Sequence, residues 1–142
     1  MSFTAVGAEK LLPGDGLGAH LGIRYVDGGA DFVIVEITLD ERHLNFLGGC
    51  HGGVIFALAD TAFGLASNSG GNLSVAIDAH VTFIKGARIG DVLRAKAQHV
   101  SRSSKTSVYR VDVTRDSDIL ATFTGTVYIT GKNVEDFINQ AP

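Results

Sequence analysis

The sequence of 142 residues holds a single cysteine, Cys50, which excludes an intramolecular disulfide and any multi-cysteine zinc module. No apolar run reaches the roughly 18 residues that a membrane span requires. Lysine and arginine (12) are fewer than aspartate and glutamate (15), so no basic excess exists to meet a phosphate backbone, and nucleic acid is not an expected ligand. The first twenty residues lack the charged-then-apolar pattern of a secretory signal, and a reduced, cytoplasmic setting is the expectation. Charged residues make up only 19% against 45% apolar, which argues against intrinsic disorder. Without a repeat, linker or charge block, one domain over residues 1–142 is expected.

Glycine is in excess, 18 of 142 residues, against roughly 7% on average. The clusters at 14–22, 28–29, 48–53, 64–71 and 86–90 read as turns and close backbone approaches. The first of them is no phosphate loop, because no GKS/T follows and no strand precedes it.

Five segments alternate with the period of a half-buried strand. Val33, Val35, Ile37 and Leu39 share one face of the first, which follows Leu21–Val26 and a Gly28-Gly29 turn, a bent or paired opening strand. In the second, Val75, Ile77, Ala79, Val81 and Phe83 point one way and Asp78, His80 and Thr82 the other. The third covers Val92–Val100, and the fourth Thr106–Thr114 with Tyr109, Val111 and Val113 inward. The last sets Ile119, Ala121, Phe123, Val127 and Ile129 against Thr122, Thr124, Thr126 and Tyr128, after a tight turn at 115–118. Between the first two lies Gly52 to about Ser69, apolar on nearly every side, alanine-rich and too long for a strand, which predicts a buried helix. A short amphipathic tail, Val134–Ile138, is the only other helical signal. The expected class is α+β, an antiparallel sheet curled around one long buried helix.

Asp60 is the one carboxylate of that helix. An ionised carboxylate inside an apolar element needs either a hydrogen-bonding partner or a chemical task. At the helix start, His51-Gly52-Gly53 leaves backbone N–H groups open at the positive end of the helix dipole, which suits either a flexible turn or an oxyanion site. Nine residues separate His51 from Asp60, about 14 Å of rise and close to a half-turn of rotation. One chain therefore cannot bring both to a single reacting carbonyl. If both act, Asp60 comes from a neighbouring copy, and a two-fold dimer supplies two equivalent composite sites.

The stretch His43-Leu44-Asn45-Phe46-Leu47-Gly48-Gly49-Cys50-His51-Gly52-Gly53, continued by Leu58-Ala59-Asp60-Thr61-Ala62-Phe63, resembles the hotdog-fold thioesterases of the PaaI type. That family is associated with phenylacetate degradation. The resemblance runs from about Leu17 to Gly131. It implies hydrolysis of an aryl- or phenylacetyl-type acyl-CoA thioester to free acid and CoA, with no metal and no cofactor apart from the CoA of the substrate. It implies an obligatory dimer as well, with dimers paired into a homotetramer, and no nucleic-acid or membrane partner. Asp60 would attack the carbonyl or activate water, the Gly52 N–H would meet the thioester oxygen, and Asn45 and His51 would orient substrate or water. Substrate would also touch Gly53, Phe83, Ile84, Lys85, Gly86, Ala87 and Arg88, and Arg102, Ser103, Ser104, Lys105, Thr106 and Ser107. Lys85, Arg88, Arg102 and Lys105 are the cations of those two segments, suited to phosphate charge.

Two departures from that pattern stand out. Gly86 occupies a position where many relatives have proline, and Ala76 one where some have a serine beside the carboxylate. Ser74, Asp78 and His80 lie close enough in sequence to compete for that role. Medium-chain acyl-CoA hydrolysis and a non-catalytic acyl-CoA-binding module are the alternatives. A dehydratase is less well matched, since no glutamate lies in the helix. His20, His43, His51, His80 and His99 form no HxH or HxxxH pair, so a metal site is not expected. Cys50 reads as a packing residue, not a nucleophile.

Overall fold

A computed structural model describes residues 3–138; residues 1–2 and 139–142 of the expected domain lie outside it. Six strands form one antiparallel sheet: β1 (Arg24–Gly28), β2 (Phe32–Thr38), β3 (Asn72–Phe83), β4 (Val92–Arg102), β5 (Thr106–Arg115) and β6 (Asp118–Asn133). Their spatial order is β1-β2-β4-β5-β6-β3. Although consecutive in sequence, β2 and β3 thus lie on opposite sides of the sheet. The helix joining them, α3 (Gly52–Asn68), must cross the inner face, and it contacts β2, β3, β4, β5 and β6 on its way. This is the hotdog arrangement, a curled antiparallel sheet with one long helix packed against it.

The core is the alternation made solid. Val33, Val35 and Ile37 of β2, Leu93, Ala95 and Ala97 of β4, and Val111 and Val113 of β5 are all buried against Ile55, Leu58, Ala59, Ala62 and Phe63 of α3. Gly125 of β6 is required by this packing, because a Cβ there would stand 2.6 Å from the Phe63 ring. Phe63 and Phe56 both pack on Phe123 at 5.5 Å between centroids.

Two strands depart from simple alternation. A bulge between Ala76 and Asp78 flips the parity of β3. Val75 therefore lies opposite Tyr128 on the outer face, away from Ala79, Val81 and Phe83, where strict alternation placed it. A second irregularity, between Val113 and Thr114, buries Leu120 and leaves Ile119 exposed. β3 is an edge of the sheet, and Val75 and Ile77 are open to solvent there.

The glycine-rich 14–22 stretch is not merely turn. It holds α2 (Gly16–Leu21), after α1 (Ala8–Leu11), and a short α4 (Glu135–Ile138) closes the described chain. The side chain of Asp15 caps α2 by accepting the Gly18 N–H at 3.0 Å, and Gly22 ends it with φ of 81°.

Candidate functional site

α3 begins at a pair of glycines with a histidine cap. His51 has extended backbone angles, and its Nδ1 accepts the Gly53 N–H at 2.8 Å. That bond leaves Nε2 as the donor of the neutral ring and removes Gly53 from the free donors. The Gly52 N–H has no acceptor among the described residues and stands alone at the start of a 17-residue helix. The Phe83 ring lies against it: a Cβ on Gly52 would come within 3.3 Å of the ring, so a glycine keeps this approach open.

The turn before the helix is built by Asn45. Its Oδ1 accepts the N–H groups of Leu47 (2.8 Å) and Gly49 (3.2 Å), while its backbone pairs with Gly48 and Gly49. The amide nitrogen is its remaining donor. This places Phe46 and Leu47 at an exposed tip, 95% and 80% accessible. Behind the turn, His43 is fully buried. Its Nδ1 accepts the Asp40 N–H at 2.9 Å and its Nε2 donates to Leu21 O at 2.8 Å. Both ring nitrogens are satisfied, so His43 is a structural brace and not a ligand. Cys50 is half-buried, and burial pushes its thiol up to about 11, which removes it as a nucleophile near neutral pH.

Asp60 departs from the expectation of a buried carboxylate. The opposite face of α3 packs on the sheet, and Asp60 opens from the other side on to a cavity of about 380 Å³. Among the described residues it has no hydrogen-bond or ion-pair partner. Desolvation by the surrounding apolar groups, then the negative charge of Asp15, hold its carboxyl above the ordinary aspartate range. Gly52 and Asp60 are eight residues apart, about 12 Å along the helix, so the two do not meet within the chain.

The two remaining segments also lie apart. Phe83–Arg88 sits at the helix-start end of the sheet, where Ile84 and Lys85 donate to Leu120 O and Cys50 donates to Ala87 O. Lys85 pairs with Asp118 at 3.2 Å, and the carbonyl of Gly86 accepts from Arg115. Arg102–Ser107 forms the turn at the far end of β4, roughly 30 Å away along eleven strand residues. There the Ser103 hydroxyl receives the N–H groups of Lys105 and Thr106, and Ser104 is exposed. Ser107 is buried, its Oγ against His99 Nε2 at 2.9 Å, so its hydroxyl is committed inside the fold. Arg88, Arg102 and Lys105 have no ion-pair partner among the described residues.

Of the three residues near Ala76, Ser74 alone shares its helix-facing side; Asp78 and His80 pair with Thr126 and Thr124 on the outer face. Asp15 and the N-terminal helices that flank Asp60 were not anticipated, whereas the tail at Val134–Ile138 forms α4 as its pattern predicts. The cap signal, Asp15 followed by Gly22 at helix-length spacing, was present in the sequence. Among the described residues no three His, Cys, Asp or Glu side chains gather as metal ligands would. No helix there is long and apolar enough to cross a membrane.

Comparison with known proteins gives a consistent result. Residues 47–122 match the model of the thioesterase superfamily. A putative esterase of Archaeoglobus fulgidus is 40% identical over 121 residues, 84% of this chain and 79% of that protein. The acyl-coenzyme A thioesterase PaaI of Escherichia coli is 33% identical over 128 residues, 89% of this chain and 91% of its own. The solved structure of E. coli PaaI superposes with a TM-score of 0.85, covering 89% of this chain and 93% of that one at 32% identity. A Streptococcus mutans protein solved bound to acetyl CoA is 32% identical, with a TM-score of 0.74 over 78% of this chain and 90% of its own.

Proposed function

The chain belongs to the thioesterase superfamily and is a thioester hydrolase, and from that premise we propose that it cleaves aryl- or phenylacetyl-type acyl-CoA thioesters to the free acid and CoA. Asp60 attacks the thioester carbonyl directly or takes a proton from the attacking water. The Gly52 N–H of the other protomer holds the developing oxyanion, with the dipole of α3 behind it. The thiolate of CoA departs readily, so one base and one oxyanion donor suffice. The His51 Nε2–H and the Asn45 amide orient substrate or water. Hydrolysis draws on water and the chain's own carboxylate, and calls for no metal or further cofactor.

One observation carries this reading. A free N–H at a helix start and an unpartnered carboxylate eight residues on are both open, yet out of reach of each other within one chain. A two-fold dimer resolves this. β3 is a twelve-residue edge strand with exposed Val75 and Ile77, a surface that self-pairing covers. Antiparallel pairing of β3 with its copy carries the Phe83–Arg88 segment of one protomer to the end of the joined sheet that holds the Arg102–Ser107 turn of the other, with β6 and β3 between them. The free cations Arg88, Arg102 and Lys105 then line one path for the phosphates of CoA. Such dimers pair further into tetramers in this reading. The reduced Cys50 fits a cytoplasmic protein, and the PaaI likeness fits a place in phenylacetate degradation.

The test is thiol release from phenylacetyl-CoA and octanoyl-CoA by wild type and Asp60→Asn. Turnover of phenylacetyl-CoA that falls at least about a hundredfold in the variant, with binding retained, supports the proposal. Preference for octanoyl-CoA shifts it to medium-chain substrates. Binding without turnover by the wild type replaces the enzyme with a binding module.

A further inference from the structure

The cavity beside Asp60 has a composition that the proposed reaction alone does not require. Its walls are apolar and come largely from both ends of the described chain: Leu11 and Leu17 from the N-terminal helices, Phe137 and Ile138 from α4, with Leu65 of α3 and Leu73 of β3 between them. Leu17, Phe137 and Ile138 remain substantially exposed in the single chain. The polar groups that reach the cavity are nearly all engaged. Thr61 donates to Ala57 O at 2.7 Å, Asn68 is held by Gly64 and by the backbone of Ser74, and Asp15 accepts from Gly18. Asp60 is the exception. Among the described residues no lysine, arginine or histidine lines the space.

We propose that this cavity is the acyl pocket, that Leu17 and Phe137 set the size of the acyl group it admits, and that it rejects acyl groups carrying a second carboxylate. The inference rests on Asp60 being the reacting carboxylate, since the reacting carbonyl then sits at the cavity mouth and the acyl group has this space beside it. A volume of about 380 Å³ falls in the range of pockets that enclose a small ligand. An alkyl or aryl group gains by covering Leu17, Phe137 and Ile138. A dicarboxylic acyl group would place a further negative charge beside Asp15 and Asp60 with no cation to balance it. Specificity then resides in the terminal segments and not in the motif around His51.

The experiment measures kcat/KM for acetyl-, butyryl-, octanoyl-, phenylacetyl- and succinyl-CoA with wild type, Leu17→Trp, Leu17→Ala and Asp60→Asn. Size exclusion and circular dichroism verify the fold of each. Butyryl- and succinyl-CoA have acyl chains of equal length, and the wild type is expected to favour butyryl-CoA by about thirtyfold or more. Leu17→Trp is expected to lower the octanoyl-to-acetyl ratio by about tenfold, and Leu17→Ala to raise it. If both ratios stay at the wild-type value, or succinyl-CoA matches butyryl-CoA, while Asp60→Asn is still inactive, the pocket assignment is overturned and the role of Asp60 stands. If Asp60→Asn turns over at the wild-type rate, the proposed mechanism fails and takes the pocket with it.

Discussion

The imidazole of His51 accepts the N–H of Gly53 at 2.8 Å, and this bond separates two neighbouring glycines that the sequence presents as equals. Gly53 is committed to the cap, and Gly52 keeps its N–H free. The next element to meet Gly52 is the Phe83 ring, which a Cβ would approach to 3.3 Å. Gly52→Ala is therefore expected to displace either the ring or the backbone by a few tenths of an ångström. A loss of about tenfold to a hundredfold in kcat should follow. If steric displacement is the cause, Gly52→Ala with Phe83→Ala recovers part of that rate. Stopped-flow or steady-state thiol release with phenylacetyl-CoA checks both variants.

Asp60 predicts a pH dependence. Desolvation and then the charge of Asp15 raise its carboxyl above the 3.8 of an ordinary aspartate, so the acid limb of kcat/KM should have its midpoint above that value. Asp15→Asn, which keeps a capping oxygen, should move the midpoint down. The sign for stability is the reverse of an ion-paired carboxylate. A group whose folded-state pKa is raised holds its proton more tightly in the fold, so its ionised form weakens the fold at pH 7, and stability is regained as pH falls through the raised value. Asp60→Asn should thus raise Tm at neutral pH and lose that advantage in acid. Thermal melts over a pH series decide it.

The strands and the long helix were legible because periodicity of two and an unbroken apolar run survive in any fold that buries them. The parity flips at Ile77 and Leu120 were not, since a bulge inserts one residue without changing composition. Nor was α2, where Gly16 and Gly18 argue against a helix that the Asp15 cap and Gly22 stop nevertheless define. The motif around His51, Gly52 and Asp60 was readable as chemistry because its spacing is local. Phe83–Arg88 and Arg102–Ser107 flank one strand, β4, so their separation by its length follows from spacing along the chain. The edge position of β3 depends instead on strand order, which that spacing does not encode. Asp60 was expected inside the core; the helix has an apolar composition all round, but the sheet covers only one of its faces.

His43 offers a test of scaffold against site. It lies in the motif yet is fully buried, and its nitrogens hold the backbone of its own turn at Asp40 and that of the distant Leu21. His43→Leu removes both bonds and leaves two polar groups without partners. A cost of about 2–4 kcal/mol in urea unfolding is expected. The folded fraction should keep a near-normal KM, which a substrate-binding histidine would not allow.

The shared site makes a prediction that no single-chain mechanism can match. Asp60→Asn and a Gly52 variant such as Gly52→Val each disable every composite site of a homodimer, because each site takes Asp60 from one protomer and Gly52 from the other. Mixing the two after partial unfolding and refolding gives heterodimers in about half of the molecules. In a heterodimer one site collects both defects and the other receives an intact Asp60 and an intact Gly52. Half of the molecules then hold one working site out of two, so activity should recover to about a quarter of wild type. If both groups acted within one chain, every site in the mixture would carry a defect and activity would stay at the level of the separate variants. Ile77→Lys on the exposed edge of β3 supplies the control. It should block self-pairing, give a monomer in sedimentation, and abolish recovery while leaving Asp60 and Gly52 untouched.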